Sequence, residues 1–209
     1  MTKVAPVTPV FIQSAVEGLL DQAVVQRLIK EADAVPGEVY GRRGKDYLRQ
    51  RVRGYNSAAR FAPWVLIVDL DRDECAPALR ASWLSDASPQ MCFRVAVRAV
   101  EAWLLADRLN LARFLRVRLS AVPTNPEGLD DPKGTMVALA STSRNSDIQR
   151  DMMPRPGSGR TEGSAYTSRL SEFVKDRTRG WDPNAAAMLS PSLGRCLMRL
   201  RELRAASEA

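Results

Sequence analysis

A chain of 209 residues with 45% hydrophobic and 26% charged residues has the length and mixture of one globular domain. It contains no histidine, which excludes Ser-His-Asp and Cys-His nucleophilic sites, histidine general bases and every histidine-containing zinc site. Catalysis then falls to carboxylates, Lys, Arg, hydroxyls or thiols. The formal net charge is +7, and among 31 basic residues only Lys3, Lys30, Lys45, Lys133 and Lys175 are lysines. Arginine's planar fork suits phosphate oxygens, so a nucleic acid or nucleotide partner fits. A GC-rich coding sequence gives the same arginine excess without explaining the net charge.

Cys75, Cys92 and Cys196 stand far apart and form neither a metal knuckle nor an even disulfide set, which fits a reducing cytosol. No signal-peptide core precedes Glu17, and nowhere do eighteen apolar residues run together. The expectation is a soluble cytoplasmic protein with no membrane span.

In chain order, Val7 to Val16 reads as a β-branched strand closed by Glu17-Gly18. Leu19 to Ala32 has apolar residues at helical spacing, and Pro36-Gly37 is expected to end that helix. Glu38 to Tyr40 reads as a short second strand, and Asp46 to Phe61 as a basic helix. Trp64 to Val68 is a continuous apolar run, typical of a strand covered on both faces of a parallel sheet. Ala76 to Leu84 reads as a helix with Pro77 at its start, Met91 to Val97 as a fourth strand, and Glu101 to Asp107 as a helix.

This alternation predicts an open, mostly parallel α/β sheet flanked by helices, with a helical C-terminal extension. Residues 1–120 form the expected core, and 121–209 a loop-rich, helical elaboration packed on the same domain. In the latter, Pro123 to Lys133 reads as a loop and Ser141 to Gly163 as poor in large apolar residues. Helices are expected over Ala165 to Asp176 and Ser192 to Ala206.

Open α/β sheets gather their sites at the carboxyl ends of strands. Glu17 closes the first strand, Asp69 and Asp71 close the Trp64 to Val68 strand, and Glu101 follows the fourth. If the chain stays extended past Val68, Asp69 and Asp71 project to one side. Clustered carboxylates repel unless a cation neutralises them, and Mg²⁺ prefers a few carboxylate oxygens plus water and substrate phosphate. Carboxylate-bound Mg²⁺ or Mn²⁺ polarises a phosphodiester without histidine. The plainer reading makes Asp69 a turn residue or helix cap, and Glu101 an acid favoured by a helix dipole.

Neighbouring motifs fail. An EF-hand loop from Asp69 needs Gly where Glu74 stands and Glu where Arg80 stands. Gly41-Arg42-Arg43-Gly44-Lys45-Asp46 is a near miss for a P-loop. The run Trp64 to Asp71 matches aspartyl-nucleophile phosphatases locally, but lies mid-chain with Asp73 where a hydroxyl residue is usual.

A strand ending in Glu-Gly, followed by a mid-domain strand ending in Asp-x-Asp, resembles the TOPRIM fold of topoisomerases, primases and OLD-type nucleases. The details look closest to a bacterial TOPRIM-like family encoded beside ATPase genes in phage-defence loci. The matching pieces are Val16-Glu17-Gly18, Arg43-Gly44-Lys45, Val65 to Asp71, Glu101 to Asp107, Asp131-Pro132-Lys133 and Ser190-Pro191-Ser192-Leu193. The resemblance implies acid-base work for Glu17 and metal binding for Asp69 and Asp71. Relatives often carry Glu four residues after the first glutamate, where this chain has Asp21.

Between Arg42 and Arg60 seven basic residues face one acid, Asp46. Arg42, Arg43, Lys45, Arg49 and Arg53 are the expected phosphate-holding residues, Arg49 and Arg53 sharing a helix face. The alternative is a solvated face. Tyr47 and Tyr55 read either as base-stacking rings or as buried helix tyrosines, and Met152 to Gly163 as a phosphate-contacting loop or a plain linker. Ser190 reads as an N-cap, with Pro191 near the start of its helix.

The expectation is a Mg²⁺- or Mn²⁺-dependent nuclease acting on DNA or RNA. Glu17, Asp69 and Asp71 would be catalytic, Glu101 a further metal ligand, and an AAA/ABC-type ATPase the partner in anti-phage defence. The alternatives are a non-catalytic regulator that binds nucleic acid or the ATPase, and a phosphatase or nucleotide-processing enzyme.

Overall fold

A computed structural model describes residues 9–207. Its centre is a four-stranded, all-parallel sheet in the order β2-β1-β3-β4, with helices on both faces. The first strand, β1 (Phe11–Val16), starts after Pro9 and Val10, which precede it without pairing as strand; Val7 and Thr8 of the predicted strand lie outside the described residues. Helix α1 (Leu19–Glu31) ends on Ala32, and Asp33 turns the chain in a left-handed conformation at φ 56°. Pro36-Gly37 therefore does not end the helix. It lies inside β2 (Val35–Gly41), an edge strand, where a residue without an N–H is tolerated. The pairing with β1 slips between Ile12 and Ser14 there, and the Gln13 side chain restores one bond by accepting from the Glu38 N–H at 2.7 Å.

Helix α2 (Lys45–Ala58) leads to β3 (Trp64–Asp69), α3 (Ala76–Trp83) and β4 (Met91–Ala96). Every residue of β3 from Trp64 to Val68 is buried. Alternation explains this: Val65 and Ile67 pack into the core under α1 and the C-terminal helices, whereas Trp64, Leu66 and Val68 face α2 and α3. Tyr55 of α2 is buried, with its ring stacked on Trp64 at 5.3 Å, so it is a core tyrosine and not a base platform. Tyr47 is covered by Arg51, whose guanidinium lies 3.7 Å from the ring centre.

Past β4 the chain is helical: α4 (Val100–Ala106), α5 (Arg108–Leu115), α6 (Pro132–Ser141), α7 (Ser146–Met152), α8 (Tyr166–Lys175), α9 (Pro183–Ala187) and α10 (Pro191–Ala206). Of these, α5, α6, α7 and α9 stand where no helix was expected. Each is capped by an Asx side chain (Asp107, Asp131, Asn145 and Asp182) that accepts from a backbone N–H of the first turn. The segment packs on the sheet layer, α8 against α1 and α10 against β4.

Two sequence features are structural. Ser190 caps α10, and both Ser190 and Ser192 donate to Glu127, while Ser192 Oγ also accepts from Trp103 Nε1 at 2.7 Å. Cys92 of β4 and Cys196 of α10, far apart in sequence, are free buried thiols close enough to shift one another's ionisation, Cys92 down and Cys196 up. Among the described residues no helix is long and apolar enough to cross a membrane.

Candidate functional site

Adjacent parallel strands deliver their C-terminal ends to one edge of the sheet, which puts the end of β1 beside the end of β3. Glu17 follows Val16, and its Oε1 accepts from the Asp69 backbone N–H at 2.9 Å. Asp69, the last residue of β3, uses Oδ1 to accept from the Val100 N–H at 3.0 Å and so holds the start of α4. It is not the N-cap residue of α4, which is Ala99, but binds that helix's first N–H from 31 residues away, and it also forms a wall of a cavity of about 1250 Å³. Glu17, Asp21, Asp69, Asp71 and Glu101 all line that cavity.

Asp71 arrives by a different route from the one expected. The chain does not stay extended past Asp69: Asp71 takes a left-handed conformation at φ 52°, and its N–H bonds the Arg98 carbonyl at 2.8 Å. Arg98 returns the contact, its guanidinium donating to the Asp71 carbonyl at 2.9 Å and the Asp73 carbonyl at 3.2 Å. Simple strand alternation therefore does not place the Asp71 carboxylate; this cross-tied turn does.

Asp21 stands in the first turn of α1, where the backbone at Gly18 and Asp21 favours its charged form against the burial that opposes it. The residue is buried, and its Oδ1 has no hydrogen-bond partner. Glu101, in the first turn of α4, is buried and accepts from the Tyr166 hydroxyl at 3.2 Å. Tyr166 comes from α8, so a helix of the C-terminal segment supplies part of the cavity wall. Lys133, at the start of α6, lies over the Tyr166 ring at 5.5 Å and pairs with Glu162 at 2.9 Å.

The carboxyls disturb one another. Burial pushes Glu17 up to about 7, against the Asp69 N–H that favours its charged form, and the nearby charges of Asp21 and Asp71 add to the rise. Asp69 is held well above the carboxylate range by burial and then by Asp21, Glu101, Glu17 and Asp71. Burial also raises Asp21 and Glu101. The Tyr166 hydroxyl is raised by its own burial and by Glu101, so it stays a proton donor.

One cation answers part of this charge. Lys45, the first residue of α2, donates to Asp71 at 3.0 Å, Asp73 at 2.8 Å and the Leu70 carbonyl at 3.3 Å. Burial lowers its pKa, but the bonds to Asp73 and Asp71 outweigh that and hold it above its ordinary value. It can sit here because Gly44 precedes it at φ 83° and Gly41 passes so close to the Val16 carbonyl that a Cβ would lie 2.4 Å away. Of the other expected phosphate-holding residues, Arg49 lines the cavity and Arg42, Arg43 and Arg53 do not. Arg42 donates to Gln22 at 3.2 Å, and Arg43 lies 5.3 Å from the Tyr47 ring centre.

An all-oxygen donor set is the kind that takes a hard divalent cation. Among the described residues no three carboxylates or thiols surround one point as a finished cage. The unpartnered Asp21 Oδ1 is the atom that most needs a cation or water. Asp21, Lys133 and Tyr166 thus join the residues expected from sequence. Asp21 had a signal, one helical turn after Glu17; Tyr166, 65 residues from Glu101 along the chain, had none. Set against family models, curated proteins and solved structures, the chain has no match.

Proposed function

We propose that the protein is a divalent-cation-dependent phosphodiesterase acting on DNA or RNA. The carrying observation is the meeting of Glu17, Asp21, Asp69, Asp71 and Glu101 in one cavity at the carboxyl edge of a parallel sheet. The all-parallel order, with acids at the ends of β1 and β3, supports a TOPRIM-like reading. An ATPase partner and a role in anti-phage defence follow from that resemblance.

Asp69 with one of Glu17, Asp21, Asp71 and Glu101 would hold Mg²⁺ or Mn²⁺, water and substrate oxygens completing the shell. The cation would supply Lewis-acid polarisation of the phosphoryl group. Where the aspartates hold the cation, Glu17, whose carboxyl burial raises to about 7 in the metal-free protein, would accept a proton from the attacking water or return one to the leaving oxygen. Arg49 and Lys133, which line the same cavity, would hold phosphate oxygens. Tyr166 fixes the Glu101 carboxylate by its hydrogen bond.

The test is cleavage of labelled single- and double-stranded oligonucleotides with Mg²⁺ or Mn²⁺, alone and with the ATPase partner. Wild type should cut, and the Asp69→Ala/Asp71→Ala double variant should lose at least 100-fold, on the order expected for removing an electrostatic stabiliser. Equal activity in both would overturn the assignment. The Lys45 bonds to Asp71 and Asp73 favour a second reading, a regulatory subunit whose acids are neutralised internally. No cation binding, with full defence by the double variant, supports that one.

A further inference from the structure

A second concavity, of about 1340 Å³, lies between the end of α5, the start of α7 and the end of α8. Six arginines line it, Arg113, Arg116, Arg118, Arg144, Arg169 and Arg179, against two carboxylates, Glu172 and Asp176. Those carboxylates are already engaged: Glu172 accepts from Arg169 at 3.0 Å, and Asp176 accepts from the Thr178 N–H and hydroxyl and the Arg179 N–H. Arg169 also pairs with Asp151 at 2.7 Å. Arg113, Arg116, Arg118 and Arg144 are exposed and, among the described residues, make no side-chain hydrogen bond or ion pair.

The scaffold under these four is fixed. Arg116 ends α5 in a left-handed conformation at φ 56°, where an arginine is disfavoured. Its carbonyl accepts from the Arg144 N–H at 3.2 Å, and Ser143 Oγ donates to the Leu115 carbonyl at 2.6 Å. The α5 end and the α6–α7 turn are thereby tied together, carrying unpaired guanidiniums from two distant segments into one hollow. Like charges gathered this way repel until an anion joins them.

We propose that this hollow is a second binding site, for the phosphate backbone of a nucleic acid, separate from the acidic cavity. The arginines offer forked donors matched to phosphate. Phe114 lines the same hollow, half-buried with its ring packed on Phe173 at 4.9 Å, which stiffens the floor beneath the arginines. The acidic cavity repels a polyanion by itself, so cations outside it must supply affinity. Helix α8 links the two: Tyr166 and Thr167 line the acidic cavity, whereas Arg169 and Phe173 line the basic one. At about 1.5 Å per residue, Tyr166 and Phe173 lie roughly 10 Å apart along the axis, the span of a few nucleotides. The ligand class rests on the proposed phosphodiesterase reading; the anion site stands without it.

The experiment is fluorescence polarisation of a labelled 20-nucleotide single strand with the full chain in EDTA, where no cutting occurs. Wild type is compared with Arg116→Gln/Arg144→Gln and with Arg60→Gln/Arg195→Gln, which removes equal charge elsewhere. Expected are about tenfold weaker binding by the first variant and a salt slope smaller by roughly 1.4, at about 0.7 per lost single-strand phosphate contact, with the second variant unchanged. Equal losses in both variants, no loss in either, or no binding of the strand by wild type overturns the proposal. Tight binding of tripolyphosphate with no binding of the strand also overturns it, in favour of a small-phosphate site. A protein that binds this way and never cuts loses the phosphodiesterase reading alone.

Discussion

Ionisation of Glu17 should weaken the folded protein. Its carboxyl rises from an ordinary 4.5 to about 7, chiefly through burial. A folded pKa above the unfolded one means that the native state binds more protons between those values. The stabilisation is therefore complete below about pH 4.5 and is lost as pH rises through about 7. The rise is equivalent to about 3 kcal/mol, and water reaching the partly exposed carboxyl reduces it to about 2 kcal/mol. In a domain of this size that is about 4–8 °C in Tm. Glu17→Gln removes the charge but keeps an oxygen to accept from the Asp69 N–H. Thermal unfolding in EDTA from pH 5 to 8.5 should show wild type losing stability towards high pH. The variant should be flatter, about 4–8 °C more stable at pH 8 and converging with wild type near pH 5. Asp69, Asp21 and Glu101 are shifted upward too, so some slope remains in the variant. Parallel profiles, or a variant less stable at pH 8, would refute the reasoning.

Two further outcomes bear on other parts of the molecule. At pH 7.5, Mn²⁺ at about 100 times its Kd should stabilise wild type by about 2.7 kcal/mol, and Asp69→Asn should abolish that response; calorimetric melts with and without Mn²⁺ measure both. Ser192→Ala removes the acceptor for buried Trp103 Nε1 and one donor to Glu127. It should cost about 2 kcal/mol in urea unfolding without changing Mn²⁺ affinity.

Much of the core was legible because local and global signals agree. An apolar run such as Trp64 to Val68 has one good environment, a strand covered on both faces, and β3 occupies it. Glu17 and Asp69 could be paired from sequence because strand ends in a parallel sheet converge whatever the register. Asp71 shows where the reasoning stops: strand alternation assumes an extended chain, and contacts with Arg98 from another strand end create the turn instead. The short helices α5, α6, α7 and α9 carry weak periodicity, since five to ten residues span too few turns to display it. Their Asx caps were readable signals that the loop-like composition around them obscured. Tyr166 and the arginines around Arg116 depend on how distant helices dock, which no local pattern encodes. The densest basic stretch in sequence, Arg42 to Arg53, sends only Lys45 and Arg49 to the acidic cavity.

The central claim is that these carboxylates share a divalent cation, and anomalous scattering from a crystal soaked in Mn²⁺ tests it most directly. The expected result is a peak in the acidic cavity, with oxygens of Asp69 and at least one of Glu17, Asp21 and Asp71 within about 2.2 Å. A cavity without a peak at saturating Mn²⁺, with Lys45 still bonded to Asp71 and Asp73, would contradict it.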